Sequence, residues 1–294
     1  MCELGHTRLS GLFYCSAFSW QNQNVGEEKN PNMVQRETVR REAARQEMVK
    51  EIAKKVQRRP LEQVIAGAGA LAGVVFAITC LLPQGFLALP LLASGAFLIY
   101  YWPKLLKLPA VLPTQLIMSA MLLATVGAGI WGGLVHLVTA AGFSMFLAFG
   151  AGIFSQVNGA RRLQQIFGSY GGLLPIIAAA FWLFTVQVKG GAQFSFLLLL
   201  ISGVISLLYA YPTRSLPVLA LVNGLLLGLA GAYLFSFPIE IGAAGGIGVA
   251  LLFGATRRAF YLHLSAEERL SPLTFLIPFS FLGVLAFPLA GILY

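Results

Sequence analysis

Four polar side chains in an otherwise apolar chain carry the chemistry that could bind a solute or move a proton. His136, Lys189 and Glu240 lie at the ends of hydrophobic stretches, and Asn223 lies near the middle of one. Ionisable groups in a bilayer are costly and therefore mark functional sites by default. A cluster of Glu240 with Lys189 or His136 could bind a ligand, and Asn223 could contact a substrate. In the competing interpretation, the ionisable groups lie in headgroups or water and Asn223 bonds another helix.

The absence of aspartate excludes several classes of intramembrane chemistry. All 11 acidic residues are Glu, so the clustered Asp that holds Mg²⁺-pyrophosphate in prenyl- and phosphatidyltransferases cannot be built. The Asp pair of an aspartyl protease is missing for the same reason. The three His are far apart, and the three Cys have no metal-ligand spacing. We therefore expect no metal and no cofactor.

The elements that position these residues are predicted membrane spans. The chain is 57% hydrophobic and 11% charged, with a mean hydropathy of +0.78, whereas an average soluble domain is about one quarter charged. A spanning helix needs about 20 mostly apolar residues. The sequence predicts an all-α polytopic integral membrane protein with nine transmembrane helices, at residues 64–82, 85–102, 113–131, 134–154, 171–188, 194–211, 216–236, 239–256 and 273–293.

The distribution of basic residues predicts the orientation. With a cytoplasmic (or stromal) N-terminus, the inner loops carry eight Lys and Arg, and the outer loops carry only Lys189. This bias fits the positive-inside rule and places the C-terminus outside or in the lumen. Because the basic residues flank spans, the net charge of +9 indicates an anionic inner leaflet rather than nucleic acid. Three Arg pairs are the predicted lipid-headgroup contacts: Arg58 with Arg59, Arg161 with Arg162, and Arg257 with Arg258.

Two similar passages suggest an internal repeat of four helices. Residues 94–103 and 202–212 both begin with Ser-Gly and end with aromatic residues and Pro, and a basic residue and Leu-Pro follow each. The repeat units would be residues 63–160 and 161–256, related by an axis along the membrane normal, with 273–293 as a final helix. Parallel repeats of this kind occur in transporters. The alternative is that the membrane interface selects such residues at helix ends without any duplication.

Small residues and prolines inside the spans have two interpretations each. Gly pairs four residues apart favour close helix packing; they are Gly69 with Gly73, Gly224 with Gly228, and Gly242 with Gly246. Proline breaks can line a binding site or can be isolated kinks; they occur at Pro90, Pro175, Pro278 and Pro288.

The segment before the first span divides into two parts. Residues 33–62 hold nine Lys and Arg and five Glu among strong helix formers, which predicts a basic juxtamembrane helix. It could lie on the inner leaflet, remain solvated, or dock a protein partner. Residues 1–32 have no periodicity and are predicted to be an irregular extension. One hypothesis is that translation starts at Met33 and that this extension is absent from the protein.

Three function classes fit these observations. The first is a small-solute transporter or permease for an uncharged or lipophilic substrate, since the spans lack a buried carboxylate that could couple transport to protons or sodium. The second is a non-catalytic membrane scaffold, assembly factor or complex subunit. The third and least favoured is a lipid-modifying enzyme, which would depend on Glu240, His136, Lys189 and the Arg pairs without any supporting motif.

Overall fold

The described part of the chain is helical throughout. The computed structural model describes residues 31–154, 159–209, 215–263 and 273–293. The chain divides into two units, residues 1–57 and 58–294. The helices of the described residues are α1 (Pro31–Cys80), α2 (Gln84–Leu105), α3 (Val111–Trp131), α4 (Leu134–Phe154), α5 (Gly159–Thr185), α6 (Gly191–Leu208), α7 (Leu216–Phe235), α8 (Ile239–His263) and α9 (Leu273–Ile292).

The predicted all-α multi-pass membrane architecture is confirmed. Each of the nine helices in the described ranges contains a stretch long and apolar enough to cross a bilayer. Three helices extend well beyond their predicted spans. α1 begins at Pro31 rather than at residue 64, α5 begins at Gly159 rather than at residue 171, and α8 continues to His263 rather than ending at residue 256. Hydropathy marks only the apolar part of a helix, whereas the polar first turns of α5 continue the same hydrogen-bonded ladder.

The first unit contributes the charged N-terminal part of α1. Val39 and Met48, which belong to the predicted apolar stripe of this segment, are exposed. A lipid-surface role for the stripe therefore stays a prediction beside the solvated alternative. Residues 1–30 of the predicted extension lie outside the described residues, as do the side chains of Arg58 and Arg59.

The second unit has α5, α6 and α9 at its centre, because these three spans bury the largest share of their residues. One apolar cluster forms around α6, and another forms around α3 and α5. α5 and α9 contribute to both clusters. Trp182 of α5 is buried in the first cluster and donates its indole N–H to the Phe279 carbonyl of α9 at 2.9 Å. The α5–α9 pair therefore joins the two halves of the core.

α7 and α8 form a tight hairpin whose closest backbone contacts are made by glycines. Ser236 ends α7 in the left-handed region, with a φ of 58°. Gly228 faces the backbone of Gly242, and Gly224 faces the backbone of Gly246, so closely that a side chain would overlap a carbonyl oxygen. This confirms the predicted packing role of these glycines. Gly73 of α1 packs in the same way against α6, where an added Cβ would lie 3.0 Å from the Leu199 carbonyl oxygen.

The predicted repeat agrees with part of the helix neighbourhood. When four is added to each helix number, three packed pairs of the first half match packed pairs of the second half. The pair α2–α5 corresponds to α6–α9, α3–α4 to α7–α8, and α4–α5 to α8–α9. The equivalent glycines of the two passages have different surroundings, since Gly95 faces Leu122 of α3 and Gly203 faces Ala70 of α1. The repeat therefore stays a prediction.

Candidate functional site

The four polar residues singled out by sequence lie on or near the surface. His136 in the first turn of α4, Lys189 before α6 and Glu240 in the first turn of α8 are exposed. Asn223 is partly exposed, and its side-chain Nδ2 donates to the Leu219 carbonyl of its own helix at 2.8 Å. The substrate-binding roles predicted for these four residues therefore stay predictions.

The Arg pairs of α5 and α8 lie at helix ends. Arg161, Arg162 and Arg258 are exposed, so their charges are not desolvated by the protein. Arg257 donates from Nη1 to the Tyr209 carbonyl at 2.6 Å and lies 4.7 Å from the centroid of the Tyr209 ring. Burial raises the pKa of Tyr209, and the charge of Arg257 partly opposes this rise. Arg257 therefore caps the end of α6, while headgroup contact by the Arg pairs stays a prediction.

A small, partly open cavity lies where α2, α3, α5 and α9 meet. Its wall includes the hydroxyls of Ser94, Thr125 and Ser280, and no ionisable residue of the described chain lines it. Its water-accessible space is about 10 Å³, which is room for one water molecule. Pro175, one of the predicted proline breaks, is part of the wall. Because proline has no N–H, α5 lacks one backbone hydrogen bond beside the cavity.

The three hydroxyls give the cavity wall a defined polarity. Ser94 donates to the Leu91 carbonyl at 3.0 Å. Thr125 donates to a carbonyl one turn back in α3 at 2.8 Å, and Ser280 does so in α9 at 2.9 Å. Each hydroxyl has a single proton, so its oxygen can still accept a hydrogen bond. The cavity therefore suits a neutral group that donates O–H or N–H.

At one end of the α3–α5 interface lies a buried polar cluster, here called the Gln165 cluster, formed by Gln165, Thr114 and Ser169. The Gln165 amide accepts from the Ala110 N–H at 3.0 Å and donates to the Ala110 carbonyl at 3.1 Å. It also donates to Thr114 Oγ1 at 2.6 Å, and Thr114 and Ser169 share a hydrogen bond of 3.1 Å. The cluster therefore ties the start of α3 to the first turns of α5.

Trp102 of α2 strengthens the same end. Its indole N–H donates to the Gly168 carbonyl at 2.7 Å. A Cβ added at Gly171 or Gly172 would lie 2.9 or 2.7 Å from the Trp102 ring. The Trp102 ring can pack this closely on α5 only because Gly171 and Gly172 have no side chains. These two glycines therefore allow the close contact between α2 and α5.

At the opposite end of the α3–α5 interface lies a second polar cluster, here called the Gln187 cluster, formed by Gln84, Gln187 and Gly129. The side-chain amides of Gln84 and Gln187 donate to the Gly129 carbonyl at 2.5 and 2.7 Å. Gly129 lies in the last turn of α3, where carbonyls have no partner within the helix. Along α3, Thr125 of the cavity wall lies between Thr114 and Gly129, so a polar cluster lies on each side of the cavity.

Sequence reasoning missed all the residues of these two clusters and of the cavity wall except Pro175. The signal that could have found them is the presence of Gln84, Gln165 and Gln187 at the ends of apolar stretches, since amides also need partners in a bilayer. Comparison with protein families, curated proteins and solved structures finds no match to this chain. The functional argument therefore depends on the site alone.

Proposed function

We propose that this protein transports small uncharged solutes across a membrane and that the cavity between α2, α3, α5 and α9 is its solute site. The observation that carries the proposal is the position of the cavity. It lies between the Gln165 cluster and the Gln187 cluster, along the same α3–α5 interface. A solute site closed on both sides is what alternating access requires.

The residues of the two clusters suit a gating role. Both clusters consist of neutral groups, whose hydrogen bonds can be exchanged for bonds to water at small net cost. Opening the Gln187 cluster would separate the end of α3 from Gln84 and Gln187. Opening the Gln165 cluster would release the start of α3 from α5. We infer that the two open in turn, each admitting solute from one side.

The lining of the cavity supports an uncharged substrate. The described wall has no carboxylate that could bind a coupling ion, and its polar side chains are those of Ser94, Thr125 and Ser280. Such a wall favours neutral solutes with hydrogen-bond donors over ions, whose desolvation it does not offset. The small size of the cavity fits a state in which both flanking clusters are closed, and the cavity would widen when one of them opens. The mode of transport is then facilitated diffusion down a concentration gradient.

A pair of matched substitutions tests the proposal. Thr125→Val removes a hydroxyl of the cavity wall with little change in shape, and Thr139→Val does the same on the exposed face of α4, where the hydroxyl bonds only the Val135 carbonyl. Stopped-flow light scattering of proteoliposomes would measure uptake of glycerol and urea. We expect wild-type protein to speed uptake, Thr125→Val to slow it several-fold and Thr139→Val to leave it unchanged.

Two outcomes would contradict the proposal. Wild-type proteoliposomes that take up neutral solutes no faster than empty vesicles would remove its basis. Equal uptake rates for Thr125→Val and Thr139→Val would show that any transport by the protein does not depend on this cavity. Each variant is first checked for its wild-type elution volume in size-exclusion chromatography, so that loss of folding is not read as loss of transport.

The alternative function, a membrane scaffold or complex subunit, is favoured by a different surface. α4 exposes Phe143, Phe146 and Phe154, and Gly142 and Gly150 on the same helix have open space where a side chain would lie. Aromatic side chains beside glycine gaps can receive a helix of another protein. The basic part of α1 is the second proposed contact for such a partner. Native mass spectrometry of the purified protein distinguishes the two functions, because a scaffold would retain a stoichiometric partner.

A further inference from the structure

α7 carries a seam of outward-facing residues with the spacing of a coiled coil. Leu219, Asn223, Leu226, Ala230 and Tyr233 are separated alternately by four and three residues, and all are exposed or partly exposed. This alternation keeps one face of a helix in register with a neighbouring helix. The opposite face of α7 is used internally, since Gly224 and Gly228 pack on α8. The seam is therefore unpartnered within the described residues.

Asn223 makes this seam different from an ordinary lipid-facing surface. Its Nδ2 bonds the Leu219 carbonyl, and its Oδ1 has no hydrogen-bond partner among the described residues. The amide can form further hydrogen bonds through Oδ1 and a second N–H. It lies near the middle of a helix with a continuous apolar span, Leu216–Phe235. Water is absent at that depth, so the remaining donor and acceptor of this amide favour contact with another helix.

We propose that α7 pairs in parallel with α7 of a second copy of this chain, with the two Asn223 side chains bonded to each other. All copies insert with the same orientation, so identical helices that meet in the membrane around a two-fold axis run in parallel and place the same residue at the same depth. A carboxamide contains both a donor and an acceptor. Two amides facing each other can therefore satisfy one another, which a purely apolar partner helix cannot do.

The other residues of the seam fit this partner. Ala230 is small and lets two helices approach two turns beyond the amide pair, and Leu219 and Leu226 flank Asn223 on either side. A single Asn among apolar seam residues also fixes the register of a parallel helix pair. The exposed face of α4 has aromatic residues and glycines but no side-chain amide, so it does not specify a second copy.

Dimerisation in lipid tests the proposal directly. Single-molecule photobleaching of labelled protein in liposomes, over a range of protein-to-lipid ratios, gives the dimer fraction. We expect wild-type protein to dimerise, Asn223→Leu to weaken dimerisation by about tenfold through the loss of two interhelical hydrogen bonds, and Asn223→Gln to retain most of it. Thr139→Leu removes a polar group from the exposed face of α4 and is the matched control, with wild-type dimerisation expected.

Cross-linking gives a second measurement that leaves Asn223 intact. In a background with Cys2 and Cys15 replaced by Ser, Leu226→Cys should form a cross-linked dimer in native membranes, and Val138→Cys on α4 should not. A monomeric wild-type protein at every ratio, equal dimerisation of Asn223→Leu and wild type, or cross-linking through residue 138 alone would overturn the proposal. A different protein cross-linked at residue 226 would also overturn it.

Discussion

Adding one methyl group at Gly242 should weaken the α7–α8 hairpin, and the structure gives the size of the conflict. A Cβ at this position would lie 2.5 Å from the Gly228 carbonyl oxygen and 2.5 Å from the Ala232 Cβ. Ordinary contacts between such atoms are about 3.5–4.0 Å. The two helices would therefore have to separate by about 1 Å along an interface where glycine faces glycine.

A matched substitution isolates this packing cost from helix propensity. Alanine is a better helix former than glycine by about 0.8–1.0 kcal/mol in water, and this difference acts at any helical glycine. Gly142 of α4 is helical and has nothing within 4 Å of an added Cβ. Gly142→Ala therefore measures the propensity term alone. The difference between Gly242→Ala and Gly142→Ala is then the overpacking cost, which is about 1–3 kcal/mol for an added methylene in a packed interior.

The assay is thermal unfolding of purified protein in one detergent, followed by circular dichroism. We expect Gly142→Ala to unfold at or above the wild-type temperature. Gly242→Ala should unfold several degrees below Gly142→Ala, since each kcal/mol shifts Tm by about 2–4 °C in a chain of this size class. Equal Tm values for the two variants would refute the close glycine packing of α7 on α8. A Tm for Gly242→Ala above that of Gly142→Ala would refute it more strongly.

Three further predictions concern buried polar contacts. Gln165→Leu should lower the free energy of unfolding by about 1–3 kcal/mol because backbone groups lose their partners, whereas Gln164→Leu, at an exposed residue with one amide bond, should change it by less than about 1 kcal/mol in the same assay. Trp182→Phe should cost about 1 kcal/mol through its lost bond to the Phe279 carbonyl, read from thermal unfolding. Burial raises the pKa of Tyr209 in the folded state, so its contribution to stability is complete below about pH 10 and is lost as pH rises through the raised value. Unfolding temperatures measured from pH 8 upward should show this loss in wild-type protein and less of it in Tyr209→Phe.

Sequence patterns were sufficient for the membrane spans because hydropathy directly reflects what a bilayer demands of each segment. The glycine packing of α7 on α8 was also predictable, since a spacing of four places Gly224 and Gly228 on one helix face. The start of α5 was predicted too late. Its first turns are polar, and Gln165 becomes buried only because the start of α3 supplies backbone partners.

The cavity and its two flanking clusters were beyond single-sequence reasoning for a related reason. Ser94, Thr125 and Ser280 lie on three different helices, α2, α3 and α9, so only tertiary packing brings them to one wall. The sequence analysis also selected ionisable residues, and none of these lines the cavity. In this chain the polar side chains of the site are neutral, with hydroxyls on the cavity wall and amides at the helix ends, while Lys189 and Glu240 are exposed.

The most direct test of the central claim is the rate of neutral-solute uptake by proteoliposomes that contain only this protein. The account predicts faster uptake of glycerol or urea than in empty vesicles, no accompanying ion current, and a reduced rate when Thr125 is replaced by Val. Uptake equal to that of empty vesicles, in protein that retains its helical circular dichroism signal, would contradict the proposal that the cavity between α2, α3, α5 and α9 is a solute site.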